Sequence, residues 1–147
     1  MKKISSAIIG FGIGQKHFEA IHKYKNSEVN IICEKDLSKL KHLKKKFPKI
    51  KITNNEDEIF LNKEINLVSI ASYDNDHYKQ ILKCIKYKKN IIVEKPMCLS
   101  LKELKYIKRL ILKSNLKITS NLVLRVNDLF LDIKKKIKKE NIFYLEA

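Results

Sequence analysis

Glycine is almost missing from this sequence: three in 147 residues, at Gly10, Gly12 and Gly14. Proline occurs twice, tryptophan not at all, and only Arg109 and Arg125 are arginines among 32 basic residues. The three cysteines, Cys33, Cys84 and Cys98, stand far apart with no Cys-x-x-Cys pair and leave an odd count. That pattern excludes a zinc-ribbon spacing and a disulfide framework, and points to reduced, buried thiols. No apolar run approaches the roughly 18 residues of a membrane helix. The start, MKKISSAIIG, has neither an adequate apolar h-region nor a small-residue cleavage site. The chain is therefore read as cytoplasmic, with no membrane partner.

What is abundant is lysine, and it carries the formal net charge to +16. A basic chain raises nucleic acid as a partner, because neutralising phosphates releases counterions. Base-edge and phosphate recognition, however, leans on the bidentate guanidinium, which this chain hardly has. The lysines fall mostly on helix faces between apolar positions, as solvated surfaces do. In the segment 76–88, Ile81, Leu82 and Ile85 mark an inner stripe, and Lys79, Lys83, Lys86, Lys88 and Lys89 are expected to point outward.

Short runs rich in isoleucine and valine, at 4–9, 29–33, 50–52, 67–71, 91–94 and 116–120, alternate with segments of helical period at 17–24, 37–47, 57–61, 76–88 and 101–113. Apolar strands without polar alternation belong to a parallel sheet covered on both faces, and strand-helix alternation makes it doubly wound. Pro48 ends the second helix, Pro96 ends the fifth strand, and Ser100 with Glu103 forms a capping box for the helix that follows. Beyond Ser120 the pattern changes to a loop, one further helix and the start of a strand at 142–146. The domain division is thus 1–120 and 121–147.

All three glycines fall in IIGFGIGQKH, between the first strand and the first helix. A composition this poor in glycine does not cluster them without a backbone demand. Gly10 and Gly12 can supply the tight turn and close backbone approach of a pyrophosphate at a helix N-terminus. Gly14, one residue earlier than in G-x-G-x-x-G, can let the helix pack against the strand. The expectation is that Gly10, Phe11, Gly12 and Ile13 line a dinucleotide's pyrophosphate through their backbone. Glu34 stands at the end of the second strand, about 20 positions on, where a carboxylate accepts from ribose hydroxyls and repels a 2′-phosphate. NAD is therefore preferred over NADP, although Lys35 next door blurs that preference. Lys95, at the carboxyl end of the fifth strand, is the candidate proton shuttle for a hydroxyl being oxidised, its ammonium weakened by desolvation.

Taken in order, the glycine turn ending in His17, Glu34, SIASYDNDH at 69–77, EKP at 94–96 and NLVLR at 121–125 resemble the Gfo/Idh/MocA oxidoreductases, the glucose-fructose oxidoreductase and inositol dehydrogenase group. The resemblance implies an NAD(P)-dependent dehydrogenase acting on a hydroxyl of a sugar, nucleotide sugar or cyclitol, without a metal. It implies Lys95 beside nicotinamide and substrate, Glu94 near the nicotinamide ribose, and Arg125 on the nicotinamide side. His17, Ser72, Tyr73 and His77 join the cofactor-binding set. The loop reads Ser72-Tyr73-Asp74-Asn75-Asp76-His77 where T-P-N-x-x-H is usual. Neither histidine is read as catalytic.

Family members continue for another domain's length with an open-faced sheet, and the expectation is that this chain stops short of it; IFYLEA at 142–147 resembles its first strand. The expectation is a dinucleotide-binding lobe that is not active alone. Homo-oligomer formation stays open. The alternative is a non-catalytic Rossmann-like interaction module.

Overall fold

The computed structural model describes residues 3–137. Six strands, β1 Ile4–Ile9, β2 Ser27–Cys33, β3 Lys51–Thr53, β4 Leu67–Ile70, β5 Asn90–Val93 and β6 Ile118–Ser120, alternate with helices α1 Gly14–Lys23, α2 Leu37–Lys46, α3 Asp57–Leu61, α4 Asp74–Lys86 and α5 Leu101–Leu112. A 3-10 turn, Val123–Val126, and a last helix, α6 Asp128–Ile137, follow. The strands form one sheet in the order β3-β2-β1-β4-β5-β6, and every pairing is parallel. The doubly wound α/β fold expected from the apolar runs is the fold observed.

Alternate residues of the same strand feed two cores. Ala7 and Ile9 of β1 pack with Phe60, Ile70, Ile81, Val93 and Ile107 on one face. Ile8 packs on the other face with Phe11, Ile32 and Leu43, against which Phe18 and Phe47 lie. Phe11, Phe18 and Phe47 meet with centroids 4.8–6.0 Å apart, in tilted and edge-on geometry. Each buried isoleucine contributes about 1.5–3 kcal/mol, so the isoleucine-rich runs are the main source of cohesion.

The chain leaves β1 to one side through β2 and β3 and returns to its other side through β4, β5 and β6. The crevice beyond the carboxyl ends of β1 and β4 is the topological switch point of such a sheet. One backbone bond past each strand except β3 fixes a row of residues along that edge. The amides of Gly10, Glu34, Ala71, Glu94 and Asn121 donate to Cys33, Thr53, Ile9, Ile70 and Val93 carbonyls at 2.8–2.9 Å.

Two local expectations are corrected. Helix α1 begins at Gly14 rather than residue 17, because packing of Gly14 against β1 outweighs glycine's poor helix propensity. Lys89 does not point outward: it is 4% exposed and its ammonium donates to the Asn62 and Ile65 carbonyls. Helix α4 has already ended, and Lys88 at φ 56° turns the chain so that the next side chain faces inward. The capping box at Ser100 is present in a shifted form. Ser100 Oγ accepts the Glu103 amide at 3.2 Å, while Glu103 reaches back to the Leu99 amide at 3.0 Å. The strand expected at 142–146 lies outside the described residues. No described helix is long and apolar enough to cross a membrane.

Candidate functional site

A cleft of about 240 Å³ opens at the switch point. One wall is Gly10, Phe11, Gly12 and Ile13, a second is Glu34, Lys35 and Lys39, and a third is Ser72, Tyr73 and Asp76. Each glycine has a different reason to be there. Gly10 has φ +84°, and a Cβ on it would lie 2.5 Å from the Ala71 carbonyl oxygen. A Cβ on Gly14 would come within 2.9 Å of Ile8 Cγ2, so the helix start sits flush against β1. At Gly12 a Cβ meets nothing within 4 Å. The missing side chain there leaves open space, a cradle a ligand can fill. No side chain caps the start of α1 and its first turn has no acidic residue, so the positive end of the helix is left for an anion.

Phe11 serves two neighbours. Its ring is buried in the aromatic cluster, while its amide donates to Glu34 Oε2 at 2.9 Å. The other Glu34 oxygen accepts the Asp36 amide at 3.0 Å. Lys35 reaches across the cleft from β2 to the first turn of α4 and pairs with Asp76 at 2.8 Å. That hydrogen bond holds the Lys35 ammonium pKa above its usual value, with burial opposing it. Cys33 lines the cleft, but burial first, and then the neighbouring Glu56 and Glu34, push its thiol up to about 12; it stays protonated and inert.

Glu94 stands at the same edge, beyond β5, and is 9% exposed. Its Oε1 accepts from His17 Nε2 at 2.7 Å and from Asn121 Nδ2 at 2.6 Å. Burial alone would raise its pKa, but the hydrogen bonds from Asn121 and His17 outweigh it and hold the carboxyl below the usual range. His17 Nδ1 faces Ser69 Oγ at 2.6 Å. The Lys95–Pro96 peptide is cis, and the Pro96 carbonyl faces His77 Nδ1 at 2.8 Å. His77 Nε2 faces the Ser72 carbonyl at 3.1 Å, so His77 joins the β4 and β5 exits from beneath.

Of the residues named from sequence, the fold gathers Gly10, Phe11, Gly12, Ile13, Glu34, Ser72 and Tyr73 around the cleft. Gly14 lies under it. His17 and His77 are buried and their ring nitrogens face protein groups. Lys95 is exposed, so the desolvation expected to weaken its ammonium is not supplied by the described residues. Arg125 is exposed in the 3-10 turn and is not in the cleft wall. Sequence reading missed Lys39, Ser69, Asp76 and Asn121. A serine inside the apolar run LVSIA was the available signal for Ser69. Among the described residues no group of His, Cys, Asp or Glu side chains gathers to hold a metal ion.

The strand order, the glycine-lined switch-point cleft and the uncapped helix start define a Rossmann-type nucleotide-binding domain. The chain belongs to the Gfo/Idh/MocA oxidoreductase family with an NAD-binding Rossmann fold, whose family model matches residues 4–122. It is 32% identical over 101 residues to an uncharacterized oxidoreductase of Synechocystis sp., covering 68% of this chain and 27% of that one. It is 24% identical over 144 residues to the scyllo-inositol 2-dehydrogenase (NADP(+)) of Bacillus subtilis, covering 95% of this chain and 38% of that one. The fold matches scyllo-inositol dehydrogenase from Lactobacillus casei, solved with NAD(H) and scyllo-inositol, at a TM-score of 0.83 and 23% identity over 94% of this chain and 42% of that one. The chain thus spans less than half the length of these relatives.

Proposed function

We propose that this chain is the dinucleotide-holding lobe of a dehydrogenase that moves a hydride between a nicotinamide cofactor and a hydroxyl or keto carbon of a sugar, nucleotide sugar or cyclitol. The observation that carries the reading is the open cradle at Gly12, set between an uncapped helix start and the Phe11–Glu34 hydrogen bond. In this reading the amides of the turn at 10–13 hold the pyrophosphate, Gly14 keeps α1 tight against β1, and Ser72 and Tyr73 form the facing wall. Glu34 accepts from the adenosine ribose. A bound nicotinamide supplies the hydride chemistry. Lys95, exposed at the carboxyl edge, holds or releases the proton of the substrate hydroxyl, and Arg125, exposed on the 3-10 turn outside the cleft wall, is assigned to the nicotinamide side.

NAD is favoured over NADP because the Glu34 carboxylate repels a 2′-phosphate, and Lys35, which could offset that repulsion, is engaged by Asp76. The division into 1–120 and 121–147 places α6 outside the nucleotide-binding unit. Leu129, Phe130, Leu131 and Ile133 on that helix are 37–65% exposed, which supports a further layer packing there in a longer protein. Turnover then requires more than these 147 residues, whereas cofactor binding does not. Calorimetric titration of the full chain with NADH tests the reading. Saturable binding that Gly12→Val weakens at least tenfold supports it, and no binding of NADH or NADPH at millimolar concentration overturns it.

A further inference from the structure

Ser69 is wholly buried in the middle of β4, and His17 is 8% exposed in the first turns of α1. With Glu94 beyond β5 and Asn121 beyond β6, they form one chain of contacts across four elements: Ser69 Oγ to His17 Nδ1 at 2.6 Å, His17 Nε2 to Glu94 Oε1 at 2.7 Å, Asn121 Nδ2 to the same oxygen at 2.6 Å. Hydrogen-bond bookkeeping fixes the roles. An ionised carboxylate only accepts, so Nε2 carries a proton and donates to Glu94, while Nδ1 pairs with the Ser69 hydroxyl. Asn121 Nδ2 and His17 Nε2, 3.3 Å apart, are then two donors converging on one acceptor. Glu94 Oε1 is fully engaged. Among the described residues its Oε2 accepts the nearby Lys95 amide alone, at 3.3 Å, and keeps capacity for an outside donor.

Cohesion does not require this arrangement, because apolar side chains of similar volume commonly stabilise a core as well as a buried ionic group does. What the arrangement achieves is geometric. It ties the helix whose start faces the cleft to the strand end that carries Lys95, and it fixes one carboxylate oxygen while leaving the other with accepting capacity.

We propose that Ser69, His17 and Asn121 are positioning residues, which hold Glu94 so that its second oxygen receives the hydroxyls of the second ribose of a dinucleotide, the ribose distal to the adenosine. The inference rests on the dinucleotide-binding reading above. It gives His17 a role through Glu94 rather than in contact with the cofactor, and it brings Ser69 and Asn121 into the site.

The test uses the full chain, three variants and three probes. His17→Ala, Ser69→Ala and the half-buried Asn121→Ala are titrated with NADH, ADP-ribose and ADP; the first two probes carry the second ribose and the third does not. Circular dichroism melts establish which variants fold, and Asn121→Ala keeps the test decisive if the core variants do not. The expected result is a loss of about tenfold or more for NADH and ADP-ribose with less than a twofold change for ADP, roughly the 1.4 kcal/mol of a charge-assisted hydrogen bond. Equal losses for all three probes would mark the network as merely structural and overturn the proposal. Unchanged NADH binding in folded variants would overturn it too, leaving the dinucleotide reading intact. A wild-type chain that binds none of the three removes both.

Discussion

The Glu34 carboxylate and the Phe11 amide are joined at 2.9 Å, so the acid at the end of β2 is also the anchor of the glycine turn. The same carboxylate takes the Asp36 amide on its other oxygen. Glutamine in its place has one accepting oxygen, so Glu34→Gln leaves one of these two amides without its acceptor. The expected outcome is a stability loss of about 1–3 kcal/mol in urea denaturation, together with a roughly tenfold weaker NADH affinity by titration. A variant that loses affinity with full stability would separate the ribose role from the anchoring role.

The glycines divide by mechanism in the same way. Gly10→Ala must place a Cβ 2.5 Å from the Ala71 carbonyl oxygen on a left-handed backbone, and its cost belongs with strained and overpacked sites, about 2–4 kcal/mol. Gly12→Ala meets nothing within 4 Å and should melt like the wild type while binding NADH at least several-fold more weakly. Melting curves and calorimetry on the pair check this. Equal melting temperatures for both variants would contradict the contrast.

Much of this was legible in the sequence, and the reason is physical. Six isoleucine-rich runs could be strands of only one kind of sheet, and three glycines in a glycine-poor chain had to mark a backbone demand. Gly14 read correctly as a packing residue because its spacing from the strand is local. Lys89 did not, since its inward turn depends on one left-handed residue, Lys88, and on carbonyls at Asn62 and Ile65 more than 20 positions away. The partners of Glu94 were likewise invisible: His17 and Asn121 lie 77 and 27 positions from it, and only the sheet order brings them together.

Asp76 sets the state of Lys35, and this gives a prediction about cofactor choice. Asp76→Asn removes the carboxylate that holds the Lys35 ammonium at 2.8 Å and leaves that cation at the cleft wall beside Glu34. An exposed pair of this kind is worth about 0.2–1 kcal/mol, so the ratio of NADPH to NADH affinity should rise by about two- to fivefold. The gain should shrink as salt is added. Parallel titrations with the two cofactors at low and high ionic strength measure it, and an unchanged ratio at low salt would contradict the role given to Lys35.

Glu94 makes an acid-side prediction whose sign is fixed by its environment. Hydrogen bonds from Asn121 and His17 outweigh burial and hold its pKa below the ordinary 4.5. The stability it contributes is therefore complete above about 4.5 and is lost as pH falls through the depressed value. In Glu94→Gln the amide oxygen still accepts from His17 and Asn121, but nothing titrates. Urea denaturation of both proteins at a series of pH values should show the wild type more stable near neutrality, with the gap closing below about pH 4.5. A gap that persists at acid pH would mean the carboxylate is not the stabilising form.

Lys89 gives the opposite slope at the other end of the scale. Burial is the dominant influence on its ammonium and lowers its pKa below 10.5, so between the folded and unfolded values the unfolded chain holds the extra proton. Stability from this group accordingly rises with pH as 10.5 is approached, whereas Lys35 and Lys83, whose pKa values are raised by carboxylate partners, keep theirs up to 10.5 and lose it only above that value. The difference between wild type and Lys89→Met isolates the first effect, because the other two lysines are common to both proteins. Methionine fills much of the same volume but leaves the Asn62 and Ile65 carbonyls without a donor, a cost of about 2–4 kcal/mol for two buried acceptors. Denaturation at pH values from about 8 to 10 should show that cost growing with pH. A constant difference would mean that Lys89 releases no proton below its ordinary value.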